Sequence, residues 1–126
     1  EVGKRTPAAD HKIEEMIIET SSNLGIKRRE ISDQEIIERC LYPLINEGAK
    51  ILEEGIAIRS SDIDVVWLYG YGFPRHHGGP MFWADLIGTD TIHGKMVEFE
   101  TEHGNLMKPA GLLKELAKEG KGFGDI

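Results

Sequence analysis

The stretch from Ser32 to Gly55, SDQEIIERCLYPLINEGAKILEEG, decides the fold. Ser32 followed three residues later by Glu35 is the signature of a capped helix start, and Gly55 supplies a stop. The residues between them make a helix of roughly 33 Å at 1.5 Å per residue. At about 100° per residue, Ile36, Ile37, Cys40, Leu41, Leu44, Gly48, Ile51 and Leu52 share one wide arc. That width suits a helix packed on two neighbours. The same arithmetic puts Glu47 inside the arc and points Asn46 away from it. Pro43 falls mid-helix, where it removes a backbone hydrogen bond, and a kink rather than a break is expected because the arc stays in phase across it.

Shorter helices follow on both sides. Downstream, Ser61 with Asp62 and Asp64 opens a helix over Asp62–Tyr69, with its carboxylates at the positive end of the helix dipole. A loop with Gly70, Gly72, Pro74, Gly78 and Gly79 leads to Pro80, which starts a helix ending at Gly88. Thr89 or Asp90 caps the next, with Ile92, Met96 and Phe99 on one side and Gly104 at its close. Pro109 opens the last, striped by Leu112, Leu113 and Leu116 and stopped by Gly120. Upstream, Pro7 opens a helix to Asn23, with Ile13, Met16, Ile17 and Leu24 as its apolar row and Gly25 as its stop. Residues 1–6 read as a linker remnant and 121–126 as a flexible tail. No segment alternates with period two, so the class is all-α: five or six helices around one kinked long helix, residues 7–120 forming one helical domain.

Composition narrows the function. The 126 residues are 40% hydrophobic and 29% charged, a globular balance. Fifteen basic against 22 acidic residues leave a net charge of −7, which repels phosphate backbones and argues against nucleic acid. No apolar run has the roughly 20 residues of a membrane span. The lone Cys40 makes neither an internal disulfide nor a Cys-rich zinc site, and its place on the apolar arc reads as an inert core thiol in a reducing compartment. The chain opens on Glu1, which reads as a processed or excised piece of something longer.

Candidate sites are few. His76–His77 sits on a loop without other ligands at metal spacing, and a solvated pair explains it. GYGFPRHHGGP does not match GxGxxG, and its glycines and prolines read as packing and turn residues between short helices. Asp62 and Asp64 read as helix-capping residues rather than a metal pair. Trp67, Trp83, Phe82 and Met81 read as core or interface. A carboxylate buried at Glu47 needs a hydrogen-bond partner: the amides of the glycine loop or of a neighbouring helix start are the expected donors, and a catalytic or ligand-orienting acid is the alternative reading. Asn46 is left to serve a partner surface. No Ser/His/Asp or Cys/His set is recommended by spacing, so no catalytic, cofactor-binding or metal-binding residue is assigned.

The run Arg28–Gly88 resembles the C-terminal helical domain of 3-hydroxyacyl-CoA dehydrogenases. The second, terminal copy in the multifunctional β-oxidation enzymes is the best match. The resemblance rests on Asn46-Glu47, the Asp62-Ile63-Asp64 turn, and Gly72-Phe73-Pro74 through Gly79-Pro80, and continues more loosely into PAGLLKELAKEGKGF. It implies that NAD binds a separate Rossmann unit, which this sequence lacks, and that the catalytic histidine and glutamate belong to that unit. The first C-terminal copy carries an Asn-Arg pair that reaches the substrate site; here the matching place reads Glu38-Arg39, leaving Arg39 without an assigned role.

The resemblance therefore implies a supporting lobe, inactive alone, of an enzyme that oxidises 3-hydroxyacyl-CoA with NAD in fatty-acid β-oxidation. Its expected partners are the preceding helical copy and the Rossmann domain, with the acyl-CoA substrate bound by the parent and self-association through the apolar face. Structural or interface candidates are Glu47, Asn46, Arg39, Asp62, Asp64, Gly72, Pro74, Gly79 and Trp83. Two other readings stand beside it: a free-standing helical interaction module, and a small acyl-CoA binder using Arg75, Lys95 and the glycine loop. The closing GDI is not the peroxisomal SKL address, and a bacterial cytoplasm is expected over a peroxisome.

Overall fold

The computed structural model describes residues 9–126, and the chain divides into two units, Glu1–Ile31 and Ser32–Ile126. The first unit holds α1, His11–Asn23. Asp10 caps it, its Oδ1 accepting the Lys12 amide at 2.9 Å, so the helix starts later than the expected opening at Pro7. Pro7 and the linker expected over residues 1–6 lie outside the described residues. Gly25 closes α1 as expected, with the Ile26 amide donating to the Ser21 carbonyl at 2.8 Å. No residue of α1 is buried.

The second unit is built on α2, Asp33–Glu53, which runs unbroken through Pro43. The Ser32 hydroxyl accepts the Glu35 amide at 3.2 Å, as the cap signature required. Around α2 stand α3 (Ser60–Val66), α4 (Pro80–Ile87), α5 (Thr89–His103) and α6 (Gly111–Glu119). No strand occurs among the described residues. α2 packs on α4, α5 and α6, while α3 lies mainly against α4. Tyr42, Ile45 and Ala49 of α2 meet Met81 and Ala84 of α4, Ile92, Met96 and Phe99 of α5, and Leu113 and Leu116 of α6 in one core.

Three local expectations are corrected. α3 starts at Ser60 behind Arg59, not at Asp62 behind Ser61, and its last turn widens into a π-helical turn over Trp67–Tyr71, closed by Gly72 in the left-handed region. α6 starts at Gly111, two residues after Pro109. The C-terminal segment is not a loose tail. Phe123 is fully buried in the core, within a 3-10 turn over Phe123–Asp125. Asp85 of α4 holds that turn: its Oδ1 accepts the Phe123 amide at 2.6 Å and its Oδ2 the Gly124 amide at 2.9 Å. A fully buried ring outweighs the entropy of ordering a few terminal residues, since large-to-small core changes at Phe cost about 3–5 kcal/mol.

Phe123→Ala is therefore expected to lower the unfolding free energy by about 3–5 kcal/mol in urea titration. A frayed terminus would give no measurable change.

Candidate functional site

Asp64 is the most constrained polar group in the domain. It is 8% exposed, and its two carboxylate oxygens accept the Met81 amide at 2.7 Å and the Phe82 amide at 3.1 Å. α4 opens on Gly79-Pro80 with no side-chain cap of its own, so its first free amides would otherwise be buried without partners. The sequence reading placed Asp64 in the first turn of its own helix; the structure makes it the cap of the next one. Burial raises the Asp64 value above the ordinary 3.8, the Met81 and Phe82 amides pull it back, and the nearby charge of Asp85 raises it further. Gly79 follows from this contact. Its φ is +104°, and a Cβ there would lie 2.4 Å from the Asp64 side chain. Asp62 stays a cap of α3, its Oδ2 accepting the Arg59 amide at 3.2 Å and its Oδ1 pairing with the Arg59 guanidinium at 2.7 Å.

Asn46 and Glu47 exchange the roles expected of them. Asn46 is 2% exposed; its Nδ2 donates to the Lys108 carbonyl at 2.9 Å and its Oδ1 accepts the Ala110 amide at 2.7 Å. It spans Pro109 like a strand partner and anchors the entry to α6. Glu47 is exposed, and its Oε2 accepts from Lys50 at 3.0 Å. The buried residues of α2 are Tyr42, Ile45, Asn46, Gly48 and Ala49; of the expected arc Gly48 is buried, Leu41, Leu44, Ile51 and Leu52 are half-buried, and Ile36, Ile37 and Cys40 are exposed. Cys40 is exposed rather than a core thiol. The buried set contains an Asn, which is why counting apolar residues passed over it.

Arg39 ties α2 to the end of α5. Its Nε donates to Glu35 at 2.8 Å and its Nη2 to Glu102 at 2.9 Å. Its Nη1 lies 2.6 Å from His103 Nε2, and its guanidinium covers the Phe99 ring at 5.2 Å. A guanidinium only donates, so the His103 Nε2 is the acceptor. Glu35 and Glu102 hold Arg39 more firmly in its charged form.

The glycine loop builds an aromatic cluster. Pro74 precedes a 3-10 turn over Arg75–His77. The His77 ring meets His76 at 4.1 Å and the half-buried Trp83 at 6.1 Å, while Trp83 reaches Tyr42 of α2 at 6.4 Å. Arg75 stacks on Tyr69 at 5.6 Å. Lys95 is held elsewhere, on Glu98 at 2.8 Å and Glu38 at 3.8 Å. Phe82 is exposed and Met81 fully buried. Among the described residues, no three or more His, Cys, Asp or Glu side chains stand close enough to hold a metal ion, and no helix is long and apolar enough to cross a membrane. Asp85, which sequence reading missed, has one readable signal: glycines flank Phe123 on both sides, and a Cβ at Gly122 would lie 2.7 Å from its carboxylate.

The helices and their polar anchors define an all-α domain among the described residues, and comparison places it in a family. The family described as "3-hydroxyacyl-CoA dehydrogenase, C-terminal domain" matches residues 36–123, and this chain belongs to it. The chain is 42% identical over 120 residues to the Peroxisomal bifunctional enzyme of Danio rerio, covering 94% of this chain and 17% of that protein. It is 48% identical over 97 residues to the human enzyme of that name, covering 75% and 13%. The Glyoxysomal fatty acid beta-oxidation multifunctional protein MFP-a of Brassica napus is 36% identical over 121 residues, covering 93% and 17%. The chain thus spans about a sixth of the Danio rerio and Brassica napus relatives. These names overturn the expectation of a bacterial cytoplasm: they point to peroxisomes and glyoxysomes.

Two outcomes check the anchors. Asn46→Ala is expected to cost about 1–3 kcal/mol in chemical denaturation, because it strands a buried carbonyl and amide, while Glu47→Ala stays within about 0.5 kcal/mol. Asp64→Asn keeps one acceptor but turns an NH2 toward the second amide, a loss of about 1–3 kcal/mol. Its pH dependence carries a sign. The folded state binds the Asp64 proton more tightly than the unfolded chain, so this group's contribution is largest below 3.8 and is lost as pH rises through the raised value. The stability gap between wild type and Asp64→Asn is therefore expected to narrow with rising pH across that window.

Proposed function

We propose that this domain is a bracing lobe of an NAD-dependent 3-hydroxyacyl-CoA dehydrogenase of fatty-acid β-oxidation. It docks on a sister helical domain and on the NAD-binding domain of a longer enzyme, and it supplies no catalytic residue itself. NAD and the 3-hydroxyacyl-CoA substrate bind the parent enzyme outside this chain. The observation that carries the reading is the outward face of α2. Ile36 and Ile37 are 49% and 40% exposed, and Cys40 beside them is exposed as well. That face continues the apolar arc past the buried row, so α2 presents apolar surface on two sides. Apolar side chains this exposed, side by side in the first turns of α2, support a contact surface.

The polar geometry supports the same reading. Asn46, Asp64 and Asp85 all spend their hydrogen-bonding capacity on this chain's own backbone. Arg39, at the position where the resemblance places a substrate-reaching Arg in the first copy, is tied to Glu35, Glu102 and His103. These groups hold the shape of the lobe.

The test uses the Danio rerio enzyme lacking the segment that aligns with this chain. Adding this chain in trans is expected to raise its NAD-dependent oxidation of 3-hydroxyacyl-CoA at least tenfold, while the chain alone shows none. Ile36→Glu with Ile37→Glu is expected to abolish the rescue and leave the helical circular dichroism unchanged. Turnover by the chain alone, or rescue insensitive to this double change, would sink the proposal.

A further inference from the structure

The glycine loop carries a surface that neither the polar anchors nor the face of Ile36 and Ile37 uses. Residues 65–84 run without an Asp or Glu, the longest such stretch in a chain of net charge −7, and they include Arg75, His76 and His77. The carboxylates at its two ends, Asp64 and Asp85, are turned to backbone amides. Arg39 and Arg59, the other arginines of the second unit, are tied to carboxylates. Arg75 is exposed and makes no hydrogen bond or ion pair among the described residues; the Tyr69 ring holds its guanidinium, at 5.6 Å.

Exposed aromatic and aliphatic side chains continue this surface beyond Arg75. Its carbonyl accepts the Gly78 amide at 3.2 Å, and Gly78 lies so near the Phe82 ring that a Cβ there would stand 2.5 Å from it. Leu86 follows one turn further along α4, on the same side as Phe82. Tyr69, Phe82 and Leu86 are 77%, 53% and 68% exposed. The turn that presents Arg75 is held at both ends, by buried Phe73 before it and buried Pro80 after it. A surface fixed in this way loses little freedom when a partner binds.

We infer that this strip docks an acidic peptide segment of a partner protein. An Asp or Glu of the segment pairs with Arg75, and its apolar neighbours cover Tyr69, Phe82 and Leu86. A guanidinium with unspent donors grips a carboxylate through two parallel hydrogen bonds, and stacking on an aromatic ring sets its plane beforehand. Aromatic residues and Arg together are the composition of the strongly binding centres of protein interfaces. Charge selects the partner: an acidic segment is repelled over most of this surface, and the strip is where that repulsion is weakest. A simple phosphate would leave the three apolar side chains uncovered. The inference does not rest on the bracing role, which uses the face of Ile36 and Ile37.

Random twelve-residue peptides displayed on phage and selected on the intact chain test it. The enriched peptides are expected to share an Asp or Glu beside a Leu, Ile or aromatic residue. Measured by fluorescence anisotropy, their binding is expected to weaken at least tenfold with Arg75→Glu and with Leu86→Glu, and to stay unchanged with Ile58→Glu, which lies outside the strip. Circular dichroism of each variant is expected to match the parent chain. No enrichment, enriched peptides without a carboxylate, or binding indifferent to Arg75→Glu overturns the inference. So does inorganic phosphate that displaces the peptides while Leu86→Glu leaves them bound, since Arg75 would then be a simple anion contact. Leu86→Glu leaves the turn around Arg75 untouched and decides the question by itself if Arg75→Glu misfolds.

Discussion

The domain is organised by the need to satisfy buried backbone amides at the start of α4. A helix leaves its first amides without internal partners, and when that end is buried no water reaches them. Pro80 removes one donor at the first helical position. The next two, Met81 and Phe82, point at the Asp64 carboxylate, which α3 carries in from seventeen residues upstream. This single contact sets the distance between α3 and α4, buries a carboxylate, and leaves no room for a side chain at Gly79. The loop from Gly72 to Gly79 is the path the backbone must take to make it. Arg75, His76 and His77 ride on that path, in the 3-10 turn that follows Pro74.

The same device recurs twice. Asn46 joins α2 to the peptide groups on either side of Pro109, and Asp85 joins α4 to the segment around Phe123. Each is a short polar side chain on a helix that reaches irregular backbone far along the sequence. Helices of seven to nine residues, such as α3, α4 and α6, are too short to be stable on propensity alone. Their ends must be held from outside. Burial of Ile45, Met81, Ile92, Met96 and Leu113 supplies the cohesion, and the three anchors specify which ends meet.

Much of the fold was legible because punctuation in this chain is strong. Pro80 and Gly88 bound α4 at the residues expected, and Ile92, Met96 and Phe99 are the buried row of α5 as their spacing required. What failed was long-range. The start of α1 moved because Asp10 caps more strongly than Pro7 suits a first position, and α3 gained a π-helical turn that no local residue pattern announces. The tail reading failed because one aromatic among glycines looks frayed until its pocket is known. Of the candidate residues, Gly72 closes the π-helical turn and Gly79 caps α4, both at turns that local rules can read; Asp64 caps a different helix from the one expected, and Asp85 was missed. Capping partners seventeen or thirty-eight residues apart leave no periodicity to detect.

The reversal at Asn46 and Glu47 shows why α2 was the hardest element to orient. Both of its faces are apolar enough to be a core, so hydrophobic periodicity cannot choose between them. The choice falls to the polar residues on each. Putting the arc of Leu44 innermost would bury Glu47, and a buried carboxylate loses hydration that only strong partners replace. The other face buries Asn46, a neutral amide with one donor group and one acceptor. The Lys108 carbonyl and the Ala110 amide, set on either side of a proline, offer those two partners. The less costly desolvation fixes the rotation of α2, and with it which isoleucines are sealed and which remain outside. The exposed row of Ile36 and Ile37 is thus a consequence of where an amide and a carboxylate can each be satisfied.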